Sequence, residues 1–296
     1  RAVDLIDNVG DTPFFLNLSY YSVHTPIQAK EDRIARYADK AKTLGLDRFE
    51  TFIDGEYFPC EHKKEQRVRR RLLHSDPVYA AMIDSLDENI GRVLAAVDET
   101  GKADDTIVVF TSDNGGVSSG DAFATSCLPF RGGKGRQWEG GIRQPFYIHV
   151  PNLTAPGSTH AAPVTGTDFY PTILDLAGLQ LKPRQHIAGG SLLPLLKGGK
   201  IAERDLFWHY PHYGNQGCAP TGAVREGDWK LIEWYEDGKL ELFNLKKDIG
   251  EKSDLAKKYP DKVKTLATQL AKWRKETGAK MPVPNKNFDP KKREGR

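Results

Sequence analysis

Asp113 and Asn114, in "TSDNGG" (111–116), set a carboxylate beside a carboxamide with two glycines behind them. Such hard oxygen donors suit calcium or magnesium, and Gly115-Gly116 lets backbone approach a bound group. Two oxygens do not fill a calcium shell, and the same tetrapeptide also makes an ordinary hydrogen-bonded Asx turn. Lys134 lies among glycines in "RGGKGRQWEGG" (131–141), where a permissive backbone can aim its ammonium, a compact point charge, at the oxyanion of a phosphate or sulfate ester. The alternative is a surface loop with a solvated lysine. His24 in "SVHTP" offers a general acid or an oxyanion partner, and His212 in "FWHYPHYGNQG" offers a contact to a substrate hydroxyl; each also reads as an ordinary packed or surface histidine.

These residues need elements to position them. "PFFLNLSY" (13–20) mixes aromatic and branched residues as a buried strand does, which places His24 just past a strand end. A helix is expected over 30–43 and a loop-rich insertion over 44–60. The basic run "HKKEQRVRRR" (62–71) reads as a solvated helix face, with ligand contact as its alternative. Tyr79, Met82, Ile83, Leu86, Ile90, Val93, Leu94 and Val97 follow the helical period, with Pro77 at the start and Gly101 past the end. That helix leads into "TIVVFT", an apolar strand running to Asp113 and Asn114, so helix then strand suggests a βαβ crossover in a largely parallel sheet, and "FYIHVP" (146–151) follows as a second apolar strand. Open α/β sheets bind ligands beyond the carboxyl ends of their strands, where His24 and the Asp113-Asn114 pair fall. "TDFYPTILDLAGL" reads as a helix with Asp168 as a cap rather than a ligand.

After Gly198-Gly199 the texture changes to "DLFWHYP", "TGAVREGDWKLIEWY" and "KLELFNL", short strands separated by turn residues. Val263, Leu266, Leu270 and Trp273 then form a helix that can cover one sheet face. The expected organisation is an α/β core over 1–200, an antiparallel sheet subdomain with one helix over 201–280, and a loosely ordered tail over 281–296.

Composition narrows the partners. With 43 Lys+Arg against 40 Asp+Glu, the formal charge of +3 is too slight for a nucleic-acid field. No apolar run approaches the roughly 18 residues that span a bilayer. Cys60, Cys127 and Cys218 fit no zinc spacing and allow at most one disulfide.

Taken in order, "SVHTP", "TSDNGG", "LPFRGGKGRQWEGGIRQP", "TDFYPTILDLAG", "GAVREGDWKLI" and "LELFNLKKDIGE" resemble the sulfatase family of the alkaline-phosphatase-like superfamily, arylsulfatase-A-like members above all. The resemblance covers nearly the whole chain. It implies a partial alkaline-phosphatase-like sheet with flanking helices and a calcium-dependent sulfuric ester hydrolase. Asp113 and Asn114 would bind the metal, with magnesium as the alternative ion, while Lys134 and His24 would clamp the sulfate and His24 would protonate the leaving alcohol. The nucleophile would be a formylglycine, made by a maturation enzyme from Cys or Ser. The family's nucleophile motif and first metal-binding aspartates lie upstream of the stretch matching "HTP", so the chain reads as a C-terminal portion, inactive alone. "CLPFR" (127–131) copies the Cys-x-Pro-x-Arg pattern, but it flows into a glycine turn instead of opening a helix, so Cys127 reads as a small apolar loop residue. A sulfated small molecule or glycan and a periplasmic or extracellular location are the further implications. Two rival readings stay open: a phosphate or phosphonate ester hydrolase of the same superfamily, and a noncatalytic module that binds sulfated glycans through 62–71 and Lys134.

Overall fold

The computed structural model describes residues 1–287 except Asp121 and Asn215; the side chain of His62 also lies outside the described set, as do positions 288–296 of the expected tail. In chain order the main elements are α1 (Ala2–Asn8), α2 (Glu31–Thr43), β1 (Phe52–Tyr57), β2 (Arg67–Arg71), α3 (Pro77–Glu99), β3 (Val108–Thr111), α4 (Glu139–Ile142) and β4 (Phe146–His149). They continue with α5 (Phe169–Leu176), α6 (Leu193–Leu196), β5 (Leu206–Tyr210), β6 (Thr221–Glu226), β7 (Trp229–Trp234), β8 (Leu240–Asn244) and α7 (Pro260–Thr277). The chain divides into two compact units. Arg1–Val23, Ile83–Asp113 and Gln144–Arg204 form the first; His24–Met82, Asn114–Arg143 and the chain from Asp205 onward form the second.

In the first unit, part of the periodic set of α3 packs as its spacing predicts, while Ile83 and Leu94 of the same set are exposed. Val93, Ala96 and Val97 pack with Ile6, Phe14 and Leu16. The segment 13–20 forms no strand. Its alternation places Phe14 and Leu16 inward and leaves Phe15 exposed, yet alternation cannot supply the hydrogen-bonded neighbour that makes a strand. His24 therefore does not follow a strand end. The expected crossover in a largely parallel sheet is also corrected: no strand forms over 13–20 to precede α3, and β3 pairs with β4 antiparallel, from Val108↔His149 to Thr111↔Phe146. Asp168 is fully buried and does more than cap. Its carboxylate accepts from the backbone N–H of Thr165 at 2.8 Å and of Gly190 at 2.9 Å, and pairs with Arg204.

The second unit is built on the antiparallel meander β5-β6-β7-β8. Glu226 pairs with Trp229 across the two-residue connection Gly227-Asp228, and Gly227 takes the left-handed φ of 57° that such a turn favours. Period-two alternation divides the strand residues between two cores. Val224, Leu231 and Leu242 meet Leu266 and Leu270 of α7, as the helical spacing predicts, and Phe207 stacks on Trp273 with centroids 5.0 Å apart. On the opposite face, Ala223, Ile232 and Phe243 pack with Cys60, Trp138 and Leu245.

The basic run is not a helix face. Arg67–Arg71 is β2, paired antiparallel with β1 inside the stretch expected to be loop-rich. Arginine tolerates both conformations, and here the aromatic residues of β1 supply cross-strand partners: Arg67 lies 4.9 Å from the Tyr57 ring centroid and Arg69 4.7 Å from that of Phe52.

Candidate active site

Lys134 stands at the centre of a loop that backbone hydrogen bonds hold against residues 115–118. Gly132 and Gly135 on either side take φ of 74° and 82°, which residues with a Cβ rarely adopt. The N–H of Lys134 donates to the carbonyl of Gly116 at 2.9 Å, Ser118 Oγ donates to Gly132 O at 3.0 Å, and Gly115 N donates to Gly141 O at 3.0 Å. A Cβ on Gly133 would meet Ser118 Oγ and lie 2.8 Å from Gly116 O. The glycines thus let the lysine loop lie directly on residues 115–118, and Lys134 is held beside the segment that Asn114 opens.

Arg136, 2% exposed, ties the same loop to the one carrying His212. It donates to Gly217 O and to Gln216 O, each at 2.8 Å. His212 itself is exposed and sets its ring edge-on to Tyr210, with centroids 5.6 Å apart. His24 is exposed, and its Nδ1 faces the carbonyl of Thr25 at 3.0 Å. Asp113 and Asn114 follow β3 directly. Asp113 is exposed and accepts from Ser112 Oγ at 3.4 Å; Asn114 is half-buried. Among the described residues no group of three or more His, Cys, Asp or Glu is arranged to hold a metal ion. Asp113 and Asn114 have the right donor chemistry for calcium, but the pair supplies only part of the six to eight oxygens such an ion takes.

A buried charge cluster underlies the loop. Glu139 is 2% exposed, and it receives Lys230 Nζ at 3.0 Å on Oε1 and Arg143 Nε at 2.9 Å on Oε2. Lys230 and Glu251 are fully buried, with Lys230 Nζ 2.9 Å from Glu251 Oε1, and Glu251 Oε2 accepts the backbone N–H of Glu139 at 2.6 Å. Burial raises the pKa of Glu139, but Lys230 first, then Arg143 and Arg225, outweigh it and hold the carboxyl below its ordinary value. Glu251 shifts the other way: burial dominates the pull of Lys230 and of the Glu139 N–H, and the nearby charge of Glu139 adds to the rise. Glu251 also takes a left-handed φ of 49°, costly for a residue with a Cβ, so the carboxylate is set in place by its surroundings.

Glu139 and Arg143 therefore brace the loop, as a glycine-rich segment aiming a lysine requires. Arg136, Lys230 and Glu251 are braces the sequence reading did not single out. For Lys230 a signal existed. Alternation along "WKLIEW" puts it on the inward face with Ile232, where an unpaired ammonium is not tolerated. Cys127, half-buried, donates its thiol to Gly116 O at 3.4 Å, and burial raises its pKa, the opposite of what a reactive thiolate needs.

The arrangement is a lysine on a braced glycine-rich loop in a mixed α/β chain, and the family models name the class to which such a chain belongs. Residues 1–179 match the model of the family described as Sulfatase, and residues 134–276 match that described as N-sulphoglucosamine sulphohydrolase, C-terminal. A protein of Formosa agariphila named "Sulfatase" is 33% identical over 270 residues, which is 85% of this chain and 43% of that one. The crystal structure of Ps i-CgsB in complex with k-i-k-neocarrahexaose superposes with a TM-score of 0.69 at 27% identity, over 92% of this chain and 52% of that one. The structure of BT4656 in complex with D-glucosamine-2-N,6-O-disulfate gives a TM-score of 0.58 at 29% identity, over 75% of this chain and 43% of that one. The chain belongs to the sulfatase family, of the alkaline-phosphatase-like fold. It spans about half the length of these relatives. Among the described residues no helix is long and apolar enough to cross a membrane.

Proposed function

We propose that the whole protein to which this chain belongs hydrolyses sulfate esters on carbohydrates, with Lys134 gripping the sulfate. The observation that carries this reading is the rigid seat of Lys134: left-handed glycines on both sides, its N–H on Gly116 O, and a buried cluster bracing the loop. A fixed cation held in place before substrate arrives stabilises charge that grows on sulfate oxygens during displacement. His24 is the second member of the clamp and the donor of the proton to the leaving alcohol, and His212 contacts a substrate hydroxyl. Asp113 and Asn114 would hold a calcium ion, or magnesium, together with donors from elsewhere; the ion adds fixed positive charge to the sulfate site. The family resemblance supports an upstream formylglycine nucleophile, a maturation enzyme to produce it, an inactive isolated fragment, and export to the periplasm or beyond. The carbohydrate preference rests on the sugar ligands of Ps i-CgsB and BT4656.

The test is steady-state hydrolysis by the full-length protein of an aryl sulfate and of a sulfated oligosaccharide, with matched phosphate esters alongside. Lys134→Ala is expected to lower kcat by about 10²–10³, the usual cost of losing one preorganised oxyanion contact. Wild-type turnover by that variant overturns the assignment of Lys134. Faster turnover of the phosphate esters reassigns the reaction.

A further inference from the structure

The β1–β2 hairpin presents two arginines that nothing in the sulfate site uses. Its register sets Tyr57 opposite Arg67 and Asp54 opposite Arg69, so these four side chains share one face, with Phe52 beyond them. Arg67 and Arg69 are both exposed. Each is held flat: Arg67 lies over Tyr57 and donates to the carbonyls of Asp54 and Gly55, both at 3.4 Å, while Arg69 lies over Phe52. Among the described residues neither has a carboxylate within ion-pair distance. The next two arginines do, Arg70 with Glu56 at 3.6 Å and Arg71 with Asp76 at 3.5 Å. Stacked, unneutralised guanidinium forks with their outer N–H groups in solvent are preorganised for planar, two-pronged contact with oxyanions. Two residues apart on a strand, they stand roughly 6.7 Å from one another.

The hairpin is anchored to both loops of the candidate site within the second unit. At its base, Arg71 N donates to Ser118 O at 2.9 Å, and Ser118 Oγ in turn holds Gly132 of the Lys134 loop. Beyond β1, Phe58 fills the space where a Cβ on Gly217, in the His212 loop, would stand, and Glu61 N donates to Glu236 at 3.1 Å.

We propose that this face, with Arg67, Arg69 and Asp54, is an accessory binding surface for a polysulfated glycan, holding sulfate groups other than the one gripped by Lys134. It deepens the sulfatase reading and rests on it for the choice of substrate class. The exposed Asp54 carboxylate on the same face favours a glycan over duplex DNA, because it is an acceptor for sugar hydroxyls, donors that the DNA backbone lacks. The chain's formal charge of +3 likewise gives no general field for nucleic acid.

The experiment measures equilibrium binding to the full-length protein by fluorescence anisotropy. The probes are a labelled hexasaccharide carrying several sulfates, a monosulfated hexasaccharide, and a duplex DNA of matched charge. For the double variant Arg67→Ala/Arg69→Ala, the Kd for the polysulfated probe is expected to rise about tenfold or more, against less than about twofold for the monosulfated one, with the same thermal midpoint as the parent. The preference for the polysulfated probe should also weaken as salt rises. Arg67→Lys/Arg69→Lys, which keeps charge and loses the forks, should recover only part of the affinity. Equal loss for both sulfated probes, no loss, or parental binding of DNA as tight as that of the polysulfated glycan overturns the proposal. These outcomes are read from binding alone, so they stay separate from the hydrolysis result for Lys134→Ala.

Discussion

Replacing Lys230 by methionine tests whether the charge cluster carries the architecture around Lys134. Methionine fills much of the lysine stem's volume, so the change isolates the ammonium. That ammonium sits, fully buried, 3.0 Å from Glu139 Oε1 and 2.9 Å from Glu251 Oε1. Its loss leaves Glu139 with Arg143, which is partly exposed, and Arg225, 4.0 Å away, and leaves the buried Glu251 carboxylate with the backbone N–H of Glu139 in place of an ion-pair partner. Breaking a buried pair from one side costs about 3–5 kcal/mol. For a domain of roughly 150–250 residues this lowers the melting midpoint by about 6–20 °C. The pH dependence gives a sharper reading. Glu139, held below its ordinary value, contributes stability above the unfolded carboxyl pKa, about 4.3, and loses it as pH falls through the depressed folded value. Glu251, held above its ordinary value, works in the opposite sense: its contribution is full below the unfolded pKa and is lost as pH rises through the raised folded value. In Lys230→Met, acid that protonates one carboxyl removes the uncompensated charge, so the deficit relative to the parent should be largest at neutral pH and shrink toward pH 5. Calorimetric melts of parent, Lys230→Met and Lys230→Met/Glu251→Gln across that range make the check, the double variant recovering part of the loss. A deficit under about 1 kcal/mol, or one independent of pH, refutes the reasoning.

Gly133→Ala should displace the lysine loop, because the added Cβ meets Ser118 Oγ and the Gly116 carbonyl; the full-length protein is expected to lose sulfate-ester turnover by at least about tenfold while its melting midpoint falls by only a few degrees. Cys127→Ala should leave turnover within about twofold, since the thiol is a hydrogen-bonded loop residue with a raised pKa; abolished turnover at an unchanged melting midpoint would make Cys127 the nucleophile after all.

Long periodic segments and alternating strands were legible in the sequence because their signals are local. The apolar spacing from Tyr79 to Val97 marks out α3, twenty-three residues long, between Pro77 and Gly101, and the turns at Gly227-Asp228 and Gly238 punctuate β6, β7 and β8 where they occur. What stayed hidden depends on a partner distant in the chain. Residues 13–20 have the composition of a strand without a ladder. β2 becomes a strand only because Phe52–Tyr57 pairs with it, and the antiparallel sense of β3 and β4 is not written in either strand. At the site the same division holds: the glycines announce Lys134, but its braces reach it across the fold, Lys230 from 91 residues away along the chain from Glu139 and Glu251 from 112.

That division has a physical origin in the loop itself. Residues 131–141 include five glycines, which lose more conformational freedom on ordering than any other residue and offer no side chains for a core to grip. Apolar packing alone cannot fix such a segment. Directed contacts can, and they must come from residues able to reach backbone N–H groups or carboxylates in a dry interior. Glu251 on the Glu139 N–H, Lys230 on Glu139 and Arg136 on the carbonyls of residues 216 and 217 meet that need. The same reasoning explains why the second unit buries ions that an apolar core would have avoided at lower cost: backbone hydrogen bonds seat the glycine loop on residues 115–118 and Trp138 anchors it in the core, and buried charge fixes the stretch between that lacks side chains to pack.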